Sequence, residues 1–105
     1  MSVPSSVWVM GQLWSIEPMP SEYSEICDDV GACIPDKRRL YYRLGQPLSS
    51  LQDTIVHEVL HAAWHLLDLS DDDDEEEIVR PLSSLIAGML IDPRNRVFWE
   101  YLSDE

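Results

Sequence analysis

The chain has 105 residues, of which 45% are hydrophobic and 26% charged, so it fits one globular domain over residues 1–105. Twenty acidic residues against seven basic ones give a formal net charge of −13, which would repel a phosphate backbone, so we expect no nucleic-acid partner. No apolar run approaches the roughly 20 residues of a membrane span, and residues 1–10 lack the features of a signal peptide, so we expect no membrane partner and a cytoplasmic protein.

The first 45 residues have the composition of strands. Residues 7–16 are aromatic and β-branched, which predicts one strand with Gly11 at a bulge or a close backbone approach. Two prolines then end this element. Residues 31–44 predict a hairpin, with turn chemistry at residues 35–37 and a strand over residues 39–44.

A helix is predicted over residues 50–69, N-capped by Ser49 or Ser50. It is apolar nearly all round, which predicts a position at the centre of the domain. Six of its polar side chains fall within little more than a quarter turn. They are Thr54, His57, Glu58, His61, His65 and Asp68. This stripe should line a cleft or a buried polar site.

The acidic run at residues 70–77 precedes a second helix, predicted over residues 76–90 from the helical spacing of its apolar positions. The helix dipole favours acidic residues at this end. Pro81 is comfortable only in a first turn, so the helix either starts near Glu77 or kinks. Residues 97–102 form an amphipathic segment that we expect to pack on the core. Together the elements predict an α+β domain, a short antiparallel sheet or hairpin packed on two main helices.

His57-Glu58-Val59-Leu60-His61 matches the pattern H-E-x-x-H on a predicted helix. Two imidazoles four residues apart lie on the same helix face and can converge on one metal ion. Glu58 is too close to His57 in sequence to join the same coordination cleanly, but it can take a proton from a metal-bound water. The pattern therefore predicts a zinc site with Glu58 as a general base.

A catalytic zinc site normally has three protein ligands and a water, so a third ligand is needed. His65 lies two turns from His57 and cannot share the ion on a straight helix. The acidic run offers Glu75, which projects along the apolar centre of the second helix, and Glu76 at its flank; both stay open. Asp68 either orients a ligand imidazole or lies at the surface.

The segment HEVLHAAWHLLDLSDDDDEEEIVRPLSSLIAGML resembles the H-E-x-x-H metallopeptidases of the gluzincin type, above all small phage-encoded ones and more distantly the ImmA/IrrE-like group. The resemblance covers roughly residues 31–90. It implies a minimal zincin-like fold, with Zn²⁺ held by His57 and His61 and with Glu58 as catalytic base. A glutamate three residues before a core valine implies Glu76 as the third ligand. If the chain is phage-encoded, the host cytoplasm is implied.

The chain departs from this family pattern in two places. Pro81 lies where a smooth helix would continue, and no tyrosine or histidine beyond the motif is placed to stabilise an oxyanion. Tyr41, Tyr42 and Arg43 on the preceding strand could reach the cleft instead.

Three functions remain in parallel. The first is a zinc peptidase acting on a protein or peptide, with an edge strand at residues 39–44 holding an extended substrate. The second is a non-catalytic, zinc-stabilised binding module, for which Cys27 and Cys33, expected as reduced thiols, are spare ligands. The third is an acidic decoy that binds a basic partner surface. A decoy needs acids spread over a face, whereas seven of the twenty lie in one run.

Overall fold

The computed structural model describes residues 2–26, 29–69 and 74–103. It confirms the α+β prediction, because a four-stranded sheet built from the first part of the chain packs with helices from the second part. The strands are β1 (Ser6–Val9), β2 (Gln12–Pro18), β3 (Gly31–Ile34) and β4 (Arg39–Tyr42). The helices are α1 (Ser21–Ile26), α2 (Leu48–Leu66), α3 (Asp74–Ile91) and α4 (Arg96–Ser103).

The sheet has the order β1-β2-β4-β3 and is mixed rather than purely antiparallel. β1 with β2 and β3 with β4 form antiparallel hairpins, and the two hairpins join through a parallel pair. Leu40 on β4 pairs with Ile16 on one side and with Cys33 on the other. The prediction of residues 39–44 as an edge strand is therefore wrong, since β4 is an inner strand and the edge strands are β1 and β3.

The predicted single strand over residues 7–16 is also wrong, because the chain turns back in its middle. Val9 pairs with Gln12, and the two residues between them, Met10 and Gly11, have φ values of 50° and 82°. Two consecutive positive φ values are typical of a type I′ hairpin turn, whose twist matches that of the strands. Gly11 is thus a turn residue and not a bulge.

The predicted hairpin over residues 31–44 is confirmed as β3 and β4, although its second strand ends at Tyr42. A single 3₁₀ turn at Pro35–Lys37 connects the strands. Arg38 closes this turn in the left-handed conformation, with φ of 51°, and its N–H donates to the Pro35 carbonyl at 3.1 Å.

The core lies between the sheet and α2. Its buried members are Val9, Trp14, Ile16, Leu40 and Ala62. Burying each of the large side chains contributes roughly 1.5–3 kcal/mol, which holds α2 on the sheet. This packing places one side of α2 against the start of β3.

Helix α2 differs from its prediction at both ends and in its burial, since it ends at Leu66 and not at Leu69. It begins at Leu48 after Pro47 and has no side-chain N-cap, so Ser49 and Ser50 lie inside the first turn and the predicted cap is wrong. Most of its apolar side chains are half-buried rather than central. Its buried column consists of Thr54, Glu58 and Ala62, which places a carboxyl group in the interior.

Helix α3 packs chiefly against α2, through a buried column of Val79, Ser83 and Ala87. It begins with four acidic residues, in the position that the helix dipole favours. Its start at Asp74 leaves Pro81 inside the helix, so the predicted start near Glu77 is wrong. The helix continues through Pro81, although this residue has no N–H to donate.

The prediction that residues 97–102 pack on the core is wrong. In α4 four of the five apolar or aromatic side chains are 48–77% exposed; they are Val97, Phe98, Tyr101 and Leu102. The Trp99 indole N–H donates to the Met89 carbonyl at 3.2 Å, which ties α4 to the end of α3 and away from the sheet. None of the helices in the described ranges has the length and apolar character needed to cross a bilayer.

Candidate metal centre

Two histidines of α2 and one glutamate of α3 meet in the groove between these helices. The Nε2 atoms of His57 and His61 lie 3.1 Å apart, as expected for imidazoles one helical turn apart. Glu76 reaches both rings, with Oε1 2.8 Å from Nε2 of His57 and Oε2 3.0 Å from Nε2 of His61. In the described part of the chain this is the one group of three such side chains whose ligand atoms lie within 4.8 Å of one another.

The outer nitrogens of the two rings have their own partners. Ser83, which is fully buried on α3, lies with Oγ 3.3 Å from Nδ1 of His57 and donates its own proton to the Arg80 carbonyl at 2.9 Å. Its oxygen therefore accepts from Nδ1–H of His57. Nδ1 of His61 donates in the same way to the Glu75 carboxylate. These partners assign the proton of each ring to Nδ1 and leave a lone pair on each Nε2.

Two lone pairs and a carboxylate that face each other at about 3 Å repel unless a cation lies between them. Zinc bonds of 2.0–2.1 Å in tetrahedral geometry separate neighbouring ligand atoms by about 3.3–3.4 Å. The distances of 2.8–3.1 Å among His57, His61 and Glu76 are shorter than this value by about 0.2–0.6 Å, so a small outward movement of the side chains would admit the ion. Burial lowers the pKa of His57 against the opposing effect of Glu76, which favours the neutral ring that a metal needs. The donor set fits Zn²⁺.

Glu58 lies in the buried column of α2 and is only 6% exposed, yet it lines the cleft that also contains His57, His61 and Glu76. Burial raises the pKa of this carboxyl from 4.5 to about 7; His61 opposes the rise, and Glu76 and Asp29 add to it. A carboxyl with a pKa near neutrality can both accept and return a proton at physiological pH.

The backbone of β3 presses directly against this carboxyl. A Cβ atom at Gly31 would lie 2.8 Å from Oε2 of Glu58 and 2.7 Å from Cγ2 of Thr54. Both distances are too short for real contacts, so only glycine fits here without a shift of its neighbours. Gly31 thereby allows the edge strand and the Glu58 side chain to share one wall of the cleft.

The cleft has a volume of about 950 Å³ and lies between β3, α2 and the first turns of α3. Most of its polar lining is acidic. The carboxylates are Asp29, Asp53, Glu58, Asp68, Glu75 and Glu76, and the cation among its lining residues is Arg80. Cys33 also lines it, but burial, with smaller effects of Glu58 and Glu75, raises the pKa of this thiol to about 12.

The structure brings His57, His61 and Glu76 together, and it gives both candidate glutamates a place. Glu76 faces Nε2 of both rings, whereas Glu75 stands behind His61 at Nδ1. Sequence reasoning missed Ser83, whose signal was a serine at an inward position of the apolar stripe of α3. Of the two cysteines named as spare ligands, Cys33 is free and outside the group, and Cys27 lies outside the described residues.

Several residues that the sequence suggested for the site lie outside the group of His57, His61 and Glu76. His65 is exposed and lines the cleft, but it lies outside the set of His57, His61 and Glu76, called the metal group below, as its spacing from His57 requires. Asp68 is exposed beyond the end of α2, and the imidazoles are oriented by other residues. None of the three strand residues proposed to stabilise an oxyanion lines the cleft; they are Tyr41, Tyr42 and Arg43. Tyr41 is buried and its ring contacts that of Tyr23 in a tilted arrangement, with centroids 5.4 Å apart and an interplanar angle of 59°.

Comparison of the chain with protein-family models, with curated proteins and with solved structures finds no match. The donor atoms of the cleft are therefore the basis for assigning its chemistry. They offer two imidazole nitrogens and a carboxylate for a metal ion, and a buried carboxyl group with a pKa near neutrality.

Proposed function

We propose that this protein is a zinc-dependent hydrolase that cleaves peptide bonds, with a minimal zincin-like arrangement of the H-E-x-x-H helix and a following helix that carries the glutamate ligand. The observation that carries the proposal is the convergence of both Nε2 lone pairs on Glu76, with each Nδ1 proton held by another residue. His57, His61 and Glu76 would hold the ion. When bound, zinc supplies a Lewis acid and lowers the pKa of its water to about 7.

Glu58 is the general base of this proposal. Its carboxylate takes one proton from the attacking water and gives it to the leaving amine nitrogen as the peptide C–N bond breaks. The same residue can do both because its pKa of about 7 is close to the working pH. Burial of the side chain also keeps bulk water from exchanging that proton.

The edge of β3 is the element that would hold an extended substrate. Residues 31–33 line the cleft, and the far edge of β3 pairs with no other strand of the described sheet. An extended peptide can bind there through backbone hydrogen bonds as a fifth strand. Arg80 lines the cleft with Nε 3.8 Å from Glu76, so its guanidinium takes the oxyanion-stabilising role that the strand residues do not fill.

A non-catalytic, zinc-stabilised binding module is the second candidate. It is favoured by the position of the ligands on two different helices, since an ion bound there would hold α3 against α2. The two candidates share the metal and differ only in turnover. A variant that keeps the metal and loses the base separates them.

The experiment combines metal analysis with cleavage of a broad peptide library, read by mass spectrometry. We expect one zinc per chain in the wild type, none in His57→Ala, and zinc without cleavage in Glu58→Gln. Glu77→Gln, the same chemical change at an exposed residue outside the cleft, should keep both zinc and activity. Purified protein without metal would overturn the proposal, and cleavage that survives Glu58→Gln would overturn the catalytic role.

A further inference from the structure

We infer that the cleft selects cationic peptides, with Asp53 and Asp68 as the residues that recognise lysine or arginine side chains on either side of the metal group. The inference names the substrate class of the proposed hydrolase and so rests on that proposal for its reaction. Its binding component can be measured without turnover.

The charge of the cleft is the first reason. Apart from Glu58, and from Asp29, which has a partner of its own, four carboxylates line it, and the charges that balance them are a divalent ion and the guanidinium of Arg80. The lining therefore stays negative after the ion binds. A cleft with one sign of charge and low-dielectric walls concentrates ligands of the opposite sign. A neutral peptide gains nothing from this field, and an acidic one is repelled.

Asp53 is the second reason. It lies four residues before His57, so it occupies the same face of α2 about 6 Å further along the helix axis. Its Oδ1 atom is shielded from solvent and accepts no hydrogen bond from the described residues. The described part of the chain thus leaves this oxygen without a hydrogen-bond donor, and because Asp53 lines the cleft, an ammonium or guanidinium group bound beside its carboxylate would compensate the charge.

Glu58 points to a ligand independently of the acidic lining. It is 94% buried, faces the cleft, and forms no hydrogen bond with the residues in the described ranges. Buried carboxyl oxygens are normally paired, and one that faces a cleft without a partner marks the place where a ligand group or its water supplies it. The cleft is therefore built for an occupant and is not simply a solvated acidic surface.

The other end of the cleft combines apolar surface with a carboxylate, as a site for a long basic side chain requires. Trp64 and Leu69 line it with apolar surface, and Asp68 lies at the rim beyond the end of α2. Lysine and arginine place their aliphatic stems on apolar surface while the charged head meets a carboxylate or solvent. Asp53 and Asp68 lie on opposite sides of His57 and His61, so both sides of a cleaved bond can carry a basic residue.

The test uses zinc-loaded Glu58→Gln protein, immobilised and exposed to a library of capped decapeptides with six randomised positions. Bound peptides are sequenced by mass spectrometry at low and at high salt. We expect enrichment of lysine and arginine at defined positions by about tenfold over neutral residues, weakened by salt. Asp53→Asn and Asp68→Asn should each reduce the enrichment severalfold, at different positions.

Glu77→Gln is the control, since it removes the same charge outside the cleft. Equal recovery of basic and neutral peptides, or recovery of none, overturns the inference. The inference is also overturned if lysine and arginine are enriched without preference for a position, and if Glu77→Gln reduces this enrichment as much as Asp53→Asn does. That result would mean that basic peptides are attracted by the overall charge of −13 and not by the cleft. If the wild type cleaves no peptide while Glu58→Gln still binds basic peptides selectively, only the proposed function is overturned.

Discussion

Replacing Glu58 by glutamine should change how the stability of the zinc-free protein depends on pH. In the folded protein burial raises the pKa of this carboxyl to about 7, against 4.5 in its ordinary state. Between these values the folded protein holds one proton more than the unfolded chain, so unfolding becomes easier as pH rises. The stabilisation is fully present below pH 4.5 and is lost as pH rises through about 7. One pKa unit corresponds to about 1.4 kcal/mol, so the wild type loses roughly 2–3 kcal/mol between pH 5 and pH 8 through this group.

Urea unfolding of both proteins at pH 5, 6, 7 and 8, in the presence of a chelator, measures this effect. The glutamine side chain does not titrate, so the free energy of unfolding of Glu58→Gln should rise relative to the wild type by roughly 2–3 kcal/mol across the series. Glu77→Gln, at an exposed position, should follow the wild-type profile. Parallel profiles for the wild type and Glu58→Gln would refute the claim that this carboxyl is held neutral by burial.

Three further predictions concern the surroundings of the metal group. Glu75→Gln should weaken zinc binding about 10–100-fold, because it replaces the anion that holds the His61 imidazole in its metal-binding orientation. Competition with a chromophoric chelator measures the affinity, and an unchanged value would contradict the role assigned to Glu75. Gly31→Ala should lower stability by about 1–3 kcal/mol because the new methyl group meets the Glu58 carboxyl, and an unchanged melting temperature would show that the strand can move away. In a Cys27→Ser background, Cys33 should react with iodoacetamide at pH 8 at least about 100-fold more slowly than a cysteine peptide, since its thiol pKa is about 12; equal rates would contradict this.

The parts of the structure that the sequence predicts depend on local periodicity. Helix α2 and the convergence of His57 and His61 follow from a spacing of four residues, which fixes a shared helix face whatever the tertiary contacts. The hairpin of β3 and β4 follows from turn residues at Pro35–Lys37. The turn at Met10 and Gly11 carries no asparagine or aspartate, so its positive φ values have no strong signal in sequence.

The parts that the sequence does not predict depend on contacts between distant segments. β4 becomes an inner strand through its parallel pairing with β2, which no local pattern specifies. The choice between Glu75 and Glu76 depends on the rotation of α3 about its axis, which its packing on α2 sets. The role of Ser83 depends on the contact of its Oγ atom with Nδ1 of His57, which joins residues on two different helices.

The attachment of α3 has a consequence for how the molecule opens. Because α3 packs chiefly on α2 and α4 is tied to α3, residues 74–103 are joined to the sheet mainly through the groove that carries the metal group. Local unfolding should therefore begin there, with the two last helices detaching while the sheet and α2 stay folded. Zinc would oppose this opening because its ligands span both sides of the groove, and amide exchange in α3 should slow when zinc is added while exchange in β2 and β4 changes little. The free zinc concentration around the protein would then set the fraction of molecules in which the last two helices are docked.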